Sequence, residues 1–196
     1  MTVVRIFLTI IFSFFTLIVG LFFINFFAQA DALPDVGFID GSNCSDRSDG
    51  RLQICEDPTL ETPDLVGSEE DDIIYGKFGF DRLYGKEGND VLDGGEHDDE
   101  LYGDGGNDNL YGSLGDDFLF GGKDNDVLVG YFGNDFISGD SGADELYGDN
   151  GDDILKGGPG PDYFDCGLDR DTVIDYKRKE GDILSQSCES IMNKGV

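Results

Sequence analysis

An aspartate recurs every nine residues through the middle of the chain, so its carboxylate could serve as a repeated ligand. From Gly67 to Asp165 the sequence divides into eleven consecutive nonapeptides without an insertion. Position 1 is glycine and position 6 is aspartate in all eleven. The aspartates are Asp72, Asp81, Asp90, Asp99, Asp108, Asp117, Asp126, Asp135, Asp144, Asp153 and Asp162. This regularity predicts stacked structural repeats, each supported by its neighbours.

The column of aspartates favours the binding of a hard cation. A turn-forming role would explain a mixture of Asp, Asn and Ser at position 6, but not aspartate alone. Stacked carboxylates repel one another unless a cation lies between them. Ca²⁺ accepts six to eight oxygen ligands, whereas Mg²⁺ prefers a smaller octahedral site and retains its waters. The repeats therefore predict calcium sites built from carboxylates and turn carbonyls.

The remaining positions indicate which elements hold the aspartates. Glycine at position 1, and at most copies of position 4, allows positive φ and close backbone approach in a turn. Position 8 is always large and apolar, and in an extended strand it points away from positions 7 and 9. We therefore expect short parallel strands in a solenoid whose core is position 8. Its residues are Ile74, Leu83, Leu92, Leu101, Leu110, Leu119, Leu128, Ile137, Leu146, Leu155 and Phe164.

This pattern over residues 67–165 resembles the RTX, or haemolysin-type, calcium-binding repeat G-G-x-G-x-D-x-U-x. The resemblance implies an all-β fold, a right-handed parallel β-roll, in which two nonapeptides form one turn. Six residues of each repeat would form the turn and the last three the strand. Calcium would lie between turns two repeats apart, bound by the aspartates and turn carbonyls. The implied carbonyls include those of Gly76, Gly85, Gly94, Gly103, Gly112, Gly121, Gly130, Gly139, Gly148 and Gly157.

The resemblance also divides the aspartates between two edges of the roll. One edge would carry Asp72, Asp90, Asp108, Asp126, Asp144 and Asp162, and the other Asp81, Asp99, Asp117, Asp135 and Asp153. The spaces between them imply roughly nine calcium ions on the family pattern. Residues 67–165 carry 27 acidic and 5 basic side chains, a net charge of −22, of which nine divalent ions would remove 18. Without calcium the repeats should be largely unfolded.

Several positions depart from the repeat. Glu70, His97 and Asp124 replace glycine at position 4, so we expect their turns to bind calcium less well or to be distorted. A partial twelfth repeat, CGLDRDTVI, places Asp171 at position 6, where it would complete a tenth site. The rest of residues 166–196 loses the period. We predict that it caps the open end of the roll.

The amino terminus differs from the repeats. Residues 6–27 form an uncharged, almost wholly apolar run that follows Arg5. The run precedes Ala28-Gln29-Ala30, a pattern typical of signal-peptidase cleavage before Asp31, but it is also long enough for an uncleaved anchor helix across a membrane. Either arrangement places the remainder outside the cytoplasm, secreted or at the cell surface. Residues 1–30 are thus a signal peptide or anchor, and residues 31–66 are predicted as an extended leader with a disulfide loop and a linker.

Four cysteines suit an exported chain, in which an even number suggests disulfides. Three pairings are possible. We favour the local pairs Cys44–Cys55 and Cys166–Cys188, because each would close one flank of the repeats. No C-x-x-C spacing occurs, which argues against a zinc site.

Composition narrows the function classes. A net charge of −29 argues against nucleic acid as a partner. The single histidine, His97, lies on a turn among carboxylates, and carboxylate pairs occur throughout, so nothing marks a catalytic site and we predict that the protein is not an enzyme.

Apolar residues also occur at the outward positions 7 and 9, where a solvated roll should be polar. One face would present Tyr102, Phe118, Phe120, Phe136 and Ile154, and the other Val91, Tyr111, Val127, Val129 and Tyr147. Such residues suit strands in any case, but an exposed apolar surface also marks interaction sites. Two hypotheses follow. The protein is an exported calcium-binding structural module, or a calcium-dependent adhesin that binds a glycan, an envelope protein or another roll.

Overall fold

The computed structural model describes residues 53–56, 64–188 and 190–192. The apolar run of residues 6–27 lies outside the described residues, and so does Cys44, the first member of the predicted Cys44–Cys55 disulfide. Within the described ranges the secondary structure is β-strand and turn, without an α-helix. No helix in this part of the chain is long and apolar enough to span a membrane.

The strands form two parallel sheets of eight strands each. The first sheet contains β1 (Gln53–Glu56), β3 (Asp72–Phe78), β5 (Val91–Glu96), β7 (Asn109–Leu114), β9 (Val127–Phe132), β11 (Glu145–Asn150), β13 (Tyr163–Asp165) and β15 (Ile183–Leu184). The second contains β2 (Asp64–Val66), β4 (Arg82–Glu87), β6 (Glu100–Gly105), β8 (Phe118–Lys123), β10 (Phe136–Ser141), β12 (Ile154–Lys156), β14 (Thr172–Val173) and β16 (Ser190–Ile191). Successive strands alternate between the sheets. The predicted all-β parallel solenoid, with two nonapeptides in each turn, is confirmed.

The core is one column of side chains between the two sheets. Leu110 pairs with Leu92 on one side and Leu128 on the other, and this register repeats along both sheets. All eleven position-8 side chains are fully buried, as predicted, and Leu65 and Val173 extend the column at its ends. Burying one Leu or Ile stabilises the fold by roughly 1.5–3 kcal/mol. With one such residue in each strand, the core is thin.

Strands β3 to β11 are longer than the three residues that the resemblance implied, whereas β12 and β13 have three each. In β7, positions 7 to 9 of one repeat continue into positions 1 to 3 of the next, which confines the turn to positions 4 to 6. Position 2 bends the strand through a positive φ, for example 71° at Asp104 and 83° at Ser113. Pairing resumes at that residue, since Ser113 lies opposite Tyr131. The bend therefore changes the direction of the strand without ending it.

The sheets extend beyond the repeats at both ends. Strands β1 and β2 lie within residues 31–66, which the sequence predicted to be leader and linker, yet β1 pairs with β3 and β2 pairs with β4. At the other end, β15 and β16 continue the two sheets. The predicted disulfide Cys166–Cys188 joins the twelfth repeat to the carboxyl-terminal segment.

Candidate metal sites along the edges

The position-6 aspartates lie in two buried columns, one at each edge of the roll. Each is at most 2% exposed, and so is Asp171. Hydrogen bonds connect aspartates 18 residues apart, such as Asp90 with Asp108 on one edge and Asp99 with Asp117 on the other. Burial of ionised carboxylates is costly unless their charge is compensated.

One oxygen of these carboxylates, Oδ1, accepts a hydrogen bond from the backbone of another repeat. Oδ1 of Asp108 accepts a hydrogen bond from the backbone N of Asp90 at 2.8 Å, and Oδ1 of Asp126 accepts from the N of Asp108 at 2.9 Å. The same bond, between 2.7 and 3.2 Å, recurs along both edges from Asp72 to Asp171. Each aspartate from Asp90 to Asp171 thus reaches back to the preceding turn on its own edge.

The second oxygen of nine aspartates is buried without a hydrogen-bond partner among the described residues. These are Oδ2 of Asp90, Asp99, Asp108, Asp117, Asp126, Asp135, Asp144, Asp153 and Asp162. Native proteins leave few buried polar atoms unsatisfied, and the penalty is largest for charged groups. A bound cation would satisfy these oxygens.

Beside seven of these nine oxygens, and also beside Oδ2 of Asp72 and Asp81, a position-1 glycine forms a corner in which a backbone carbonyl oxygen lies close to the carboxylate. A Cβ on Gly94 would lie 2.5 Å from Oδ2 of Asp99 and 3.0 Å from the carbonyl oxygen of Gly112. The arrangement recurs at Gly67, Gly76, Gly85, Gly103, Gly112, Gly121, Gly130 and Gly148. Each corner joins a carboxylate oxygen to a backbone carbonyl oxygen, the ligand types that Ca²⁺ prefers.

The carbonyls that face these corners largely match the implied set. They belong to Gly85, Gly94, Gly103, Gly112, Gly121, Gly130, Gly139, Gly148 and Cys166, whereas those of Gly76 and Gly157 are not among the nearest atoms to a corner. Two reasons were predicted for glycine at position 1, and the structure has one of them. Close backbone approach is present, because a Cβ there would lie against carboxylate and carbonyl oxygens, whereas no position-1 glycine of the described repeats has a left-handed φ, so that part of the prediction is wrong.

Burial changes the acidity of the columns. It raises the pKa of Asp99 to about 8, that of Asp90 to about 7 and that of Asp108 to about 6, although the backbone hydrogen bond to each carboxylate opposes the shift. A cation bound at Oδ2 would favour the ionised form. In the described part of the chain, no group of three or more His, Cys, Asp or Glu side chains is placed so that it could hold a metal ion by itself. Backbone carbonyls beside the carboxylates would supply further ligands.

Two of the atypical position-4 residues have a positive φ, as most glycines at that position do, but not the same value. The φ angle is 88° at His97 and 69° at Asp124, whereas it is 127° at Gly106 and 147° at Gly115. The backbone of these two turns therefore differs from that of the glycine turns, and weaker calcium binding there stays a prediction. His97 is exposed, with its ring 5.4 Å from that of Phe80.

Sequence reasoning missed Asp182, which continues the first edge. It is 6% exposed, its Oδ1 accepts from the N of Asp162 at 3.3 Å, and its Oδ2 accepts from the N of Lys177. Asp162 and Asp182 are 20 residues apart, so a strict nine-residue search passes over Asp182. The available signal was the apolar Leu184 two residues later, the spacing of positions 6 and 8.

A two-sheet parallel solenoid with buried aspartate columns and carbonyl-lined corners defines a metal-binding repeat protein. The family model described as RTX calcium-binding nonapeptide repeat (4 copies) matches residues 66–101, 75–110, 93–128, 102–137, 129–164 and 138–173. These matches cover more than half of the 196 residues, so the chain belongs to this family and its repeats bind calcium. No curated protein matches the chain.

Proposed function

We propose that this protein is an exported module that folds into its β-roll when it meets calcium. The observation that carries the proposal is the set of nine buried Oδ2 atoms without a hydrogen-bond partner in the described residues. Ionised carboxylates in this arrangement repel one another, and the core offers one buried side chain per strand to oppose that repulsion. Calcium binding would thus supply much of the folding free energy.

The site of action in this proposal is outside the cytoplasm, as a calcium buffer or a structural element of the cell surface. Two features support export. Residues 6–27 and Ala28-Gln29-Ala30 have the pattern of a signal peptide or anchor. The Cys166–Cys188 disulfide is of a kind that persists in oxidising compartments. Calcium is abundant there, and roughly nine ions on the family pattern would neutralise most of the charge of the repeats.

Expression of the full chain in a secreting host tests the export part of the proposal. We expect the protein in the medium with Asp31 as its first residue, or in the membrane fraction with residues 6–27 retained. Amino-terminal sequencing and fractionation distinguish the two. A full-length chain that stays soluble in the cytoplasm would refute export, while calcium-dependent folding of the same chain would still be measured separately.

A second candidate function is that of a calcium-dependent adhesin, and a groove on the first sheet favours it. Phe78, Leu114 and Phe132, at position 3, are 44%, 48% and 54% exposed and form one wall. Tyr75, Tyr111 and Tyr131 of the same sheet, together with Asp93, line the adjoining cavities. The position-3 residues of the opposite edge are mostly polar. They are Glu69, Glu87, Gly105, Lys123, Ser141 and Pro159.

The outward aromatics of the second sheet have a different explanation. Tyr102 stacks on Tyr84 with ring centroids 4.9 Å apart and on Phe120 at 5.1 Å, so these rings pack mainly on one another. The groove of the first sheet lacks such a continuous stack and is the better candidate for a partner. Its apolar wall suits apolar side chains, and the carboxylates of Asp93 and Glu96, which outweigh the charge of Lys77 in the same lining, favour a basic segment. We therefore commit to a basic, apolar segment of an envelope protein as the occupant.

A matched pair of variants tests the adhesin hypothesis. Leu114→Ser changes the groove and Phe118→Ser changes the second sheet, and both side chains are 48% exposed in the parent. With a synthetic peptide of alternating Lys and Leu in saturating calcium, we expect Leu114→Ser to weaken binding about tenfold, about 1.4 kcal/mol, and Phe118→Ser to leave it unchanged. Binding of a soluble glycan in place of the peptide, equal effects of both variants, or calcium-dependent dimerisation without peptide binding would each refute this occupant.

A further inference from the structure

The last corner of the second edge is bordered by a cysteine in place of a glycine. A Cβ on Gly148 would lie beside Oδ2 of Asp153 and 2.6 Å from the carbonyl oxygen of Cys166. In the earlier corners of this edge the corresponding oxygen belongs to Gly94, Gly112, Gly130 and Gly148. Cys166 is position 1 of the twelfth repeat and is fully buried. Its carbonyl therefore has the place of a calcium ligand.

Residues beyond the repeats hold Cys166 through its side chain and its backbone N. Its Sγ is bonded to Cys188, and its backbone N donates to Oγ of Ser187 at 3.0 Å. The same Oγ donates to Oδ1 of Asp165 at 2.6 Å, so Ser187 holds the cysteine and its neighbour together. The segment that contains Cys188 thus anchors both the backbone N and the side chain of the residue whose carbonyl faces this corner.

Cys166 also differs from the position-1 glycines because it has a Cβ. In the preceding repeats, a Cβ at position 1 would fill the corner beside the aspartate of the same repeat. In the twelfth repeat that aspartate is Asp171, which the sequence assigned to a tenth calcium site. By the register of the repeats, the Cβ of Cys166 falls at the equivalent position, and its disulfide joins the twelfth repeat to the segment that contains Cys188.

We propose that the Cys166–Cys188 disulfide is an integral part of the last calcium site on the second edge, which lies at Asp153. The disulfide holds the carbonyl of Cys166 towards Oδ2 of Asp153, so its formation raises calcium affinity at this site. By thermodynamic linkage, bound calcium protects the disulfide from reduction to the same extent. The redox step is ordinary exchange, in which two thiols pass two electrons and two protons to an external disulfide such as oxidised glutathione. The inference rests on calcium binding by the repeats.

Calorimetric calcium titration of the full chain tests the first half of the proposal. The variant Cys166→Ser with Cys188→Ser is preferable to a reductant because it leaves Cys44 and Cys55 unchanged. We expect one site to weaken about tenfold, about 1.4 kcal/mol, while the other sites keep their affinity. Asp153→Asn should remove the same site, so combining it with the serine pair should add nothing further. Asp99→Asn, at a remote site on the same edge, should add its full effect when it is combined with the two serine substitutions.

Two further measurements keep the proposal testable if the serine pair does not fold. Ser187→Ala retains the disulfide but removes the bond to the N of Cys166, and should weaken the same single site, whereas the neighbouring Ser185→Ala should not. In wild-type protein, alkylation and mass spectrometry should show slower reduction of Cys166–Cys188 in calcium. Asp153→Asn should abolish that protection and Asp99→Asn should retain it. Equal losses at all sites, additivity with Asp153→Asn, or protection that survives Asp153→Asn would overturn the proposal.

Discussion

Two ladders of Asp and Asn side chains run along each edge of the roll, and they differ in the residue types that they contain. The inner ladder is position 6, whose aspartates accept a backbone N–H from the preceding turn of the same edge at 2.7 to 3.2 Å. The outer ladder is position 5, whose Asn and Asp side chains accept an N–H from the following turn at 2.7 to 3.1 Å. Both ladders make one hydrogen bond per turn, but only the inner carboxylates are buried.

The difference between the two ladders shows whether hydrogen bonding or negative charge determines the residue type at position 6. The outer position accepts Asn107 and Asp116 alike, and even Phe80, Ala143 and Pro161, because it is solvated. Asparagine could make the inner hydrogen bond equally well, yet the inner position is always aspartate. The hydrogen bond therefore does not select the residue. The second oxygen does, since it points into a corner with a backbone carbonyl, where an anion binds calcium and a neutral amide binds it poorly.

Filling an inner corner should have the largest effect of any single substitution. In Gly103→Ala the new Cβ would lie 2.5 Å from the carbonyl oxygen of Gly121 and against Oδ2 of Asp108. We expect overpacking of about 1–3 kcal/mol and loss of calcium from that corner. Gly105→Ala is the control, because its nearest neighbours are side-chain atoms of Glu87 at 3.1 Å or more. Thermal unfolding in saturating calcium should rank the two variants, and equal stabilities would contradict the role given to position 1.

Removing one inner charge should have the next largest effect. Asp108→Asn keeps an acceptor for the N of Asp90 but removes the negative charge at the corner. We expect about a tenfold loss of affinity at one site, about 1.4 kcal/mol, and a higher calcium midpoint for folding. Asn107→Asp, at the adjacent outer position, should leave the midpoint nearly unchanged. Calcium titration followed by circular dichroism checks both, and a normal midpoint in Asp108→Asn would favour hydrogen bonding over charge.

The pH dependence of folding should distinguish the two ladders in the unmutated protein, because their carboxylates differ in pKa. Burial raises the pKa of inner aspartates such as Asp126 and Asp135 to about 7, whereas hydrogen bonds from Arg170 lower the pKa of the outer Asp152. Because the folded-state pKa of the inner groups exceeds the unfolded value of 3.8, their protonation stabilises the calcium-free fold at low pH. That contribution is lost as the pH rises through about 6 to 8.

In chelator, β-structure measured by circular dichroism should therefore decrease between about pH 5 and pH 8. In calcium the trend should reverse, because calcium and protons compete for the same oxygens and binding releases protons. A calcium-free protein that is as structured at pH 8 as at pH 5 would show that the inner carboxylates are not the destabilising groups.

The outer ladder should give the smallest effect. Asn107→Ala removes the exposed bond from the N of Asn125 and the contact with Asn89. The expected loss is about 0.5–1 kcal/mol, since a solvated N–H can bond to water instead. Thermal unfolding at saturating calcium measures it. A loss as large as that of Asp108→Asn would remove the distinction between the ladders.

Periodicity accounts for what could be predicted from the sequence. The position-8 core follows from a nine-residue period without insertions, the pairing of repeats two apart was implied by the resemblance to the RTX repeat, and the structure has both. Asp182 was not predicted, because it follows Asp162 by 20 residues and not by the 18 of the repeat. Its place on the edge becomes evident only from the pairing of β13 with β15. The strands β1 and β2 escaped because their segment, with Pro58 and Pro63, lacks the repeat signature. Close backbone approach at position 1 was predicted, but the atoms that come close there depend on the distance between turns, which sequence spacing does not contain.

Calcium titration of the full chain, followed by circular dichroism and calorimetry, tests the central claim most directly. The claim is that the buried, unpartnered carboxylate oxygens of the described repeats are completed by calcium. At neutral pH we predict little β-structure in chelator, a cooperative gain of β-structure with calcium, and a stoichiometry of roughly nine, the family pattern. Equally strong β-structure in chelator and in calcium would contradict the claim.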